Sequence, residues 1–259
     1  MLGAIAGDII GSIYEAAPIR TKEFPLFGSG ATFTDDTVCT VAVADCLLSG
    51  SRDFAGYLRA YVRRHPSRGY GGMFRRWALT PDMPAYGSWG NGAAMRVSAI
   101  AHLAQDEAEA LDLAAESAAM SHDHPDAIAG AQAVVLAMWH GRAGAEPAAL
   151  RTAIEARFGY DLGERVDAIR ARYGFDISCK GTVPPALICA LEADGYEDAV
   201  RNAISLGGDA DTLACITGGL AEVLYGLPAE IADQATARLA PGLRGQVERF
   251  YATTAGQSG

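Results

Sequence analysis

The chain is short of positive charge. Lysine and arginine total 21 against 31 aspartates and glutamates, a formal balance of 21 − 31 = −10. That balance disfavours a broad phosphate-binding surface, so general nucleic-acid binding is not expected. An anionic ligand would have to be held by a local cation or by an array of backbone N–H groups. Cysteine is sparse and unpatterned: Cys39, Cys46, Cys179, Cys189 and Cys215 are odd in number and form no CxxC pair. This argues against a disulfide scaffold and for the cytoplasm. No run reaches the roughly 18 apolar residues of a membrane span. The opening "MLGAIAGDIIGSIYE" has the apolarity of a signal peptide, but it lacks a basic flank and Asp8 interrupts it. Alternating strand patterns are nearly absent, and no linker, low-complexity block or solenoid repeat divides the chain.

What is present is helical. An apolar fraction of 50% and a charged fraction of 20% describe a globular chain, and 259 residues suffice for one substantial core. Glycine is abundant, 30 residues in 259, which in a helical protein implies close helix packing and tight turns. Gly3, Gly7 and Gly11 recur at i, i+4 and i+8, so the opening helix carries a small-residue face that a second helix can approach. Helices are expected over 35–48, 53–65, 91–104, 106–120, 125–141 and 146–158, then over 184–193, 196–206, 211–226, 228–240 and 243–255. A short extended piece is expected near "TKEFPLF". A single compact all-α domain of roughly a dozen helices is expected over 1–259, as a monomer, with functional loops at 15–35, 65–90, 121–125 and around 172–184.

Two acidic turns open two apolar helices: "FTDDT" at 33–37 and "GGDADT" at 207–212. Each has an ordinary explanation, in which a threonine or aspartate caps the helix and the acids complement its dipole. Taken together, and with Asp8 on a third apolar helix, they admit another. Carboxylates entering an apolar interior need a cation or a dense set of hydrogen bonds. An oxygen-only cluster suits hard cations such as Mg²⁺, Mn²⁺ or Ca²⁺ rather than zinc. "YGSWGNGAAMR" adds Ser88, Gly90, Asn91 and Gly92 before a predicted helix, where glycine backbone and N–H groups suit a diphosphate.

In order and spacing, "GDIIGSIYE", "FTDDT", "GSWGNGAAMR", "SHDHPDA" and "LGGDADT" resemble the ADP-ribosylglycohydrolase family, over about residues 2–226. The resemblance implies an all-α fold with two metal ions, usually magnesium and with manganese an alternative, in a cleft that holds ADP-ribose. Matched motif by motif, the metal ligands would be Thr34, Asp35, Asp36, Asp209, Asp211 and Thr212. The catalytic proton-transfer residue would be Glu15, because "GDxxGSxYE" is similar to the branch acting on serine-linked ADP-ribose and poly(ADP-ribose). Trp89 would stack near adenine and His122 would face the diphosphate or ribose. Asp8 would buttress the ligands, and Arg96 would pair internally with a carboxylate. Cys179 and Lys180 depart from the pattern at the loop bordering the adenosine.

The function implied is metal-dependent hydrolysis of the bond between ADP-ribose and a modified acceptor, serine-linked ADP-ribose on proteins before others. Arginine-linked ADP-ribose, O-acetyl-ADP-ribose and other small conjugates are alternative substrates, and a non-catalytic ADP-ribose binder is an alternative of another class. A terpenoid-synthase-like diphosphate enzyme fits less well, since "DDTVC" lacks the final acid of a DDxx(D/E) motif.

Overall fold

The computed structural model describes residues 1–255, so residues 256–259 of the expected domain span lie outside the described residues. Among the described residues there are fourteen α-helices, one 3-10 turn and no strand. The helices are α1 (Leu2–Gly11), α2 (Asp35–Leu48), α3 (Phe54–Arg64), α4 (Gly72–Leu79), α5 (Ile100–Leu103), α6 (Glu107–Ala119) and α7 (Pro125–Arg142). They continue with α8 (Pro147–Phe158), α9 (Val166–Arg172), α10 (Cys179–Leu191), α11 (Tyr196–Ser205), α12 (Ala210–Tyr225), α13 (Ala229–Ala237) and α14 (Pro241–Ala255). The 3-10 turn spans Asn91–Ala93.

Helix α1 is buried along its whole length and packs lengthwise on α12. The glycine stripe makes that contact. A Cβ on Gly7 would lie 2.0 Å from the Ala214 carbonyl oxygen, and one on Gly11 would lie 2.5 Å from that of Ala210. Gly3 and Gly218 face each other in the same way, each Cβ falling within 2.5 Å of the other's carbonyl oxygen. The Tyr196 hydroxyl closes this end by donating to the Gly3 carbonyl at 2.6 Å. Because the two backbones nearly touch, Asp8 on α1 is drawn beside the first turns of α2 and α12, with no surface exposed.

The structure departs from the pattern in four places. Helices α4 and α9 form in stretches whose periodicity is too brief to announce them, eight and seven residues long. The expected helix over 91–104 is broken into the 3-10 turn and the four-residue α5. Its interruption has a local cause: the Met95 carbonyl accepts from Thr40 Oγ1 and from Cys215 Sγ, both at 3.3 Å, and so is taken by α2 and α12. Helix α10 begins five residues before Pro184, capped by Ser178 Oγ accepting from the Gly181 N–H at 2.9 Å. The "TKEFPLF" segment is not a strand; the Arg201 guanidinium donates to the Lys22 and Phe24 carbonyls, each at 2.8 Å.

The glycine contact gives a paired test. Gly7→Ala should destabilise the fold by about 3 kcal/mol or prevent folding, since its Cβ collides with backbone. Gly245→Ala, in α14 with open space around it, should stabilise by roughly 0.5–1 kcal/mol. Urea unfolding of both variants checks the contrast; similar effects from the two would contradict it.

Candidate active site and metal centre

The first acidic turn is built on Asp8. Its carboxylate accepts from Thr34 N–H at 3.0 Å, Thr34 Oγ1 at 2.7 Å, Thr37 N–H at 3.1 Å and the Thr37 hydroxyl. Asp8 therefore buttresses the turn, as expected, by fixing the start of α2. Thr34 is the N-cap of α2, its Oγ1 accepting from Asp36 N–H at 3.2 Å. The ordinary capping explanation is thus correct for Thr34, but it leaves the carboxylates unaccounted for. Asp36 points inward with one oxygen 3.3 Å from the hydroxyls of both Thr34 and Thr212, while its Oδ1 is buried with no protein partner.

The second turn, at the start of α12, meets the first. Ligand-capable oxygens of Asp8, Asp36 and Asp211 lie within 4.8 Å of one another, and so do those of Glu15, Asp209 and Asp211. Asp211 belongs to both groups. Asp209 is fixed by Asn91, whose Nδ2 donates to Asp209 Oδ2 at 2.7 Å and to Thr182 Oγ1 at 3.1 Å. Asp35 lies in neither group of three; it borders the cleft near Gly69. Glu15 stays open to solvent just beyond α1.

Glu15, Asp35, Asp36, Asp209, Asp211 and Thr212 line a cleft of about 560 Å³, within the usual size of small-molecule sites. The rest of its wall is mostly backbone and rings. The loop carrying Ser88–Gly92 is clipped to the segment before α10: Asn91 N–H donates to the Ile177 carbonyl at 2.7 Å and Cys179 N–H to the Trp89 carbonyl at 2.9 Å. Ser88 Oγ accepts from Gly90 N–H at 3.2 Å. His122, between α6 and α7, has its Nε2 against this loop; a Cβ on Gly92 would lie 3.1 Å from it. Glycine at 92 thus keeps the ring in contact with the loop backbone. His124 caps α7 through Nδ1, which leaves His122 as the histidine of the cleft. All six expected substrate-side residues, Ser88 to Gly92 and His122, line it.

Further parts of the wall come from the loops expected at 65–90 and 172–184, whose individual residues the sequence did not single out. Gly69, Gly71, Gly72 and Met73 bring the N-terminus of α4 to the cleft, and "GYGGM" was the available signal. Of the five large apolar side chains exposed among the described residues, four line the cleft: Met73, Trp89, Phe175 and Ile177. Exposed apolar residues gathered at one place mark a binding surface. Arg96 requires a correction. It is fully buried, and its partners are the Ser117 and Ala118 carbonyls and Ser121 Oγ, not a carboxylate. The carbonyls at the end of α6 supply partial negative charge in place of an acid.

Burial dominates the electrostatics. It pushes Asp35 up to about 8, with Asp8 adding repulsion. Burial, then neighbouring carboxylates, raises Asp36 and Asp211 well above the ordinary range. Asp8 is raised by burial despite the hydrogen bonds from Thr37 and Thr34 that oppose it. Burial, then Asp209 and Asp8, raises Glu15. His122 is held neutral, well below its usual value, by burial and by Arg96.

The sign of the consequence follows. A carboxyl whose folded-state value is raised holds its proton more tightly folded than unfolded, so its stabilisation is present at low pH and lost as pH rises. Chelator-treated protein should therefore lose stability from about pH 4 to about 8, the window between the ordinary Asp value and that of Asp35. Excess Mg²⁺ should restore the melting temperature at the upper end. A melting profile that is flat with pH and indifferent to Mg²⁺ would contradict the crowding.

A family model described as ADP-ribosylglycohydrolase matches residues 1–258. ADP-ribosylhydrolase ARH3 of Homo sapiens is 27% identical over 308 residues, covering 88% of this chain and 84% of that protein. The Danio rerio protein of the same name is 25% identical over 302 residues, covering 88% and 82%. Among solved structures, an "ADP-ribosylglycohydrolase-related protein complex" superposes with a TM-score of 0.72 at 23% identity, over 98% of this chain and 97% of that one. That likeness bears on the fold, whereas the family match spans nearly every residue, including both acidic turns and the glycine loop. With its helices and cleft arranged as described, the chain belongs to the ADP-ribosylglycohydrolase family.

Proposed function

We propose that this chain is a magnesium-dependent hydrolase that cleaves the glycosidic bond between ADP-ribose and a modified acceptor, serine-linked ADP-ribose on proteins above all. The observation that carries the reading is Glu15 grouped with Asp209 and Asp211 in a cleft whose wall also holds a glycine-rich loop and exposed aromatic side chains. A ligand that joins a sugar, a diphosphate and a base suits that combination of acids, backbone N–H groups and rings.

The donor set fits a pair of hard cations. It is all oxygen, Asp211 belongs to both acidic groups, and Asp36 Oδ1 is buried without a partner. Thr34, Asp35, Asp36, Asp209, Asp211 and Thr212 would hold two Mg²⁺ ions, with Mn²⁺ able to replace them. When bound, the ions would supply positive charge that offsets the carboxylates and draws the ribose hydroxyls toward them. The protein's own groups do the rest. Asn91 holds Asp209 in place, and Asp8 holds Thr34 and the first turn of α2. The α4 N-terminus and the Ser88–Gly92 loop face the diphosphate, and Trp89 offers a surface for the base.

In the reaction the bond from the ribose anomeric carbon to the acceptor oxygen breaks, and a water oxygen takes its place. One proton passes from that water to the departing oxygen, and Glu15 would carry it. Burial, then Asp209 and Asp8, raises Glu15 above the ordinary glutamate range, the direction that suits a proton donor. Serine linkage is favoured because the motif "GDIIGSIYE" puts this glutamate at the turn. A cytoplasmic location agrees with five buried, unpaired cysteines, and no helix among the described residues is long and apolar enough to cross a membrane.

ADP-ribose with Mg²⁺ should stabilise the protein by about 2.7 kcal/mol at a hundredfold excess over Kd, more than either alone. Glu15→Gln should lower kcat on serine-ADP-ribosylated peptide about 10²- to 10⁴-fold while leaving ADP-ribose affinity within about threefold. Turnover of arginine-linked or O-acetyl-ADP-ribose instead would move the acceptor assignment. Binding without turnover of any conjugate would make the chain an ADP-ribose binder.

A further inference from the structure

The cleft wall contains five carboxylates, Glu15, Asp35, Asp36, Asp209 and Asp211, and one lysine or arginine, Arg96. Arg96 has no exposed surface, and its Nε and Nη1 have no hydrogen-bond partner in the protein. Its guanidinium carbon lies 5.8 Å from the Phe74 ring, which is 5.9 Å from the His122 ring. A guanidinium kept in the core without a carboxylate is costly to fold. Its position directly behind the histidine of the cleft suggests what it does there.

The chain of contacts runs through Ser121. Arg96 Nη2 donates to Ser121 Oγ at 3.3 Å, and that oxygen lies 2.7 Å from His122 Nδ1. A hydroxyl has one hydrogen and two acceptor positions, whereas arginine only donates. With a cationic N–H already on its oxygen, Ser121 is polarised to give its own hydrogen to Nδ1. His122 must then carry its proton on Nε2, the nitrogen turned toward Gly90 and Gly92.

We propose that Arg96 is a positioning residue that acts through Ser121 to hold His122 as the neutral Nε2–H tautomer, presenting one fixed N–H donor to the diphosphate at the Gly90–Gly92 loop. The inference rests on the ADP-ribosyl reading of the cleft for the identity of that anion, but not for the tautomer. Burial and the Arg96 charge both oppose protonation of the ring, and the Tyr86 ring, 5.9 Å away, adds no carboxylate that would favour it. A neutral donor of fixed direction discriminates geometry, where an imidazolium would attract any nearby anion, including the enzyme's own aspartates.

The test pairs ¹⁵N NMR of the histidine rings with binding of ADP, which has the diphosphate but not the second ribose, and of adenosine, which has neither. In the wild type His122 should be neutral and Nε2-protonated from pH 5.5 to 8. Ser121→Ala and Arg96→Met should both mix the tautomers and weaken ADP about tenfold, with adenosine unchanged. Ser121→Ala keeps the guanidinium, so it still reports if Arg96→Met fails to fold. A wild-type ring that is Nδ1-protonated or charged overturns the relay. So do Ser121→Ala or a folded Arg96→Met that keep the tautomer and ADP affinity, which is what a purely structural arginine would give. If the wild-type tautomer is as described but ADP does not bind at all, the relay stands and the ADP-ribosyl reading falls.

Discussion

Four carboxylates, Asp8, Asp36, Asp209 and Asp211, are buried where α1 passes the first turns of α2 and α12. Like charges in a dry junction repel, and each loses hydration it would keep at the surface. The protein offsets part of this with threonine hydroxyls, main-chain N–H groups and the positive ends of two helices, but not all of it. Asp8 receives four hydrogen bonds, while Asp36 has a buried oxygen with none. The deficit is concentrated on the residues that face the cleft. Folding holds them there because the glycine contact between α1 and α12 leaves the backbones no room to part.

The same constraint gives the cleft its polarity. Its wall combines carboxylates and hydroxyls with helix and loop N–H groups, glycines and apolar rings, and its one lysine or arginine, Arg96, is fully buried. A ligand that is itself anionic meets repulsion from the carboxylates unless cations intervene, and finds donors in the backbone N–H groups. Asn91 joins the two kinds of wall because it sits in the glycine loop yet holds Asp209.

Much of this was legible in the sequence. Gly3, Gly7 and Gly11 announced the helix contact, because small residues at that spacing let two backbones approach, and "FTDDT" and "GGDADT" announced the acidic turns, because carboxylates opening apolar helices need compensation in a core. The break after Ala93 was not legible, since the Met95 carbonyl is captured by Thr40 and Cys215 from helices distant in the chain. Arg96 misled for a related reason: a buried arginine is ordinarily matched to an acid, and the end of α6 takes that place. Phe175 and Ile177 lay in a stretch expected to be a functional loop, but which loop residues would reach the cleft depends on pairing with Trp89 and Asn91 across the chain.

The most direct test is crystallographic. Crystals grown with Mn²⁺ and ADP-ribose, measured at the manganese absorption edge, should show two anomalous peaks at the acidic turns, with Asp36 Oδ1 and Asp211 among the ligands. A map without peaks there, with these carboxyls hydrogen-bonded only to protein and water while the ligand is bound, would contradict the account at its base.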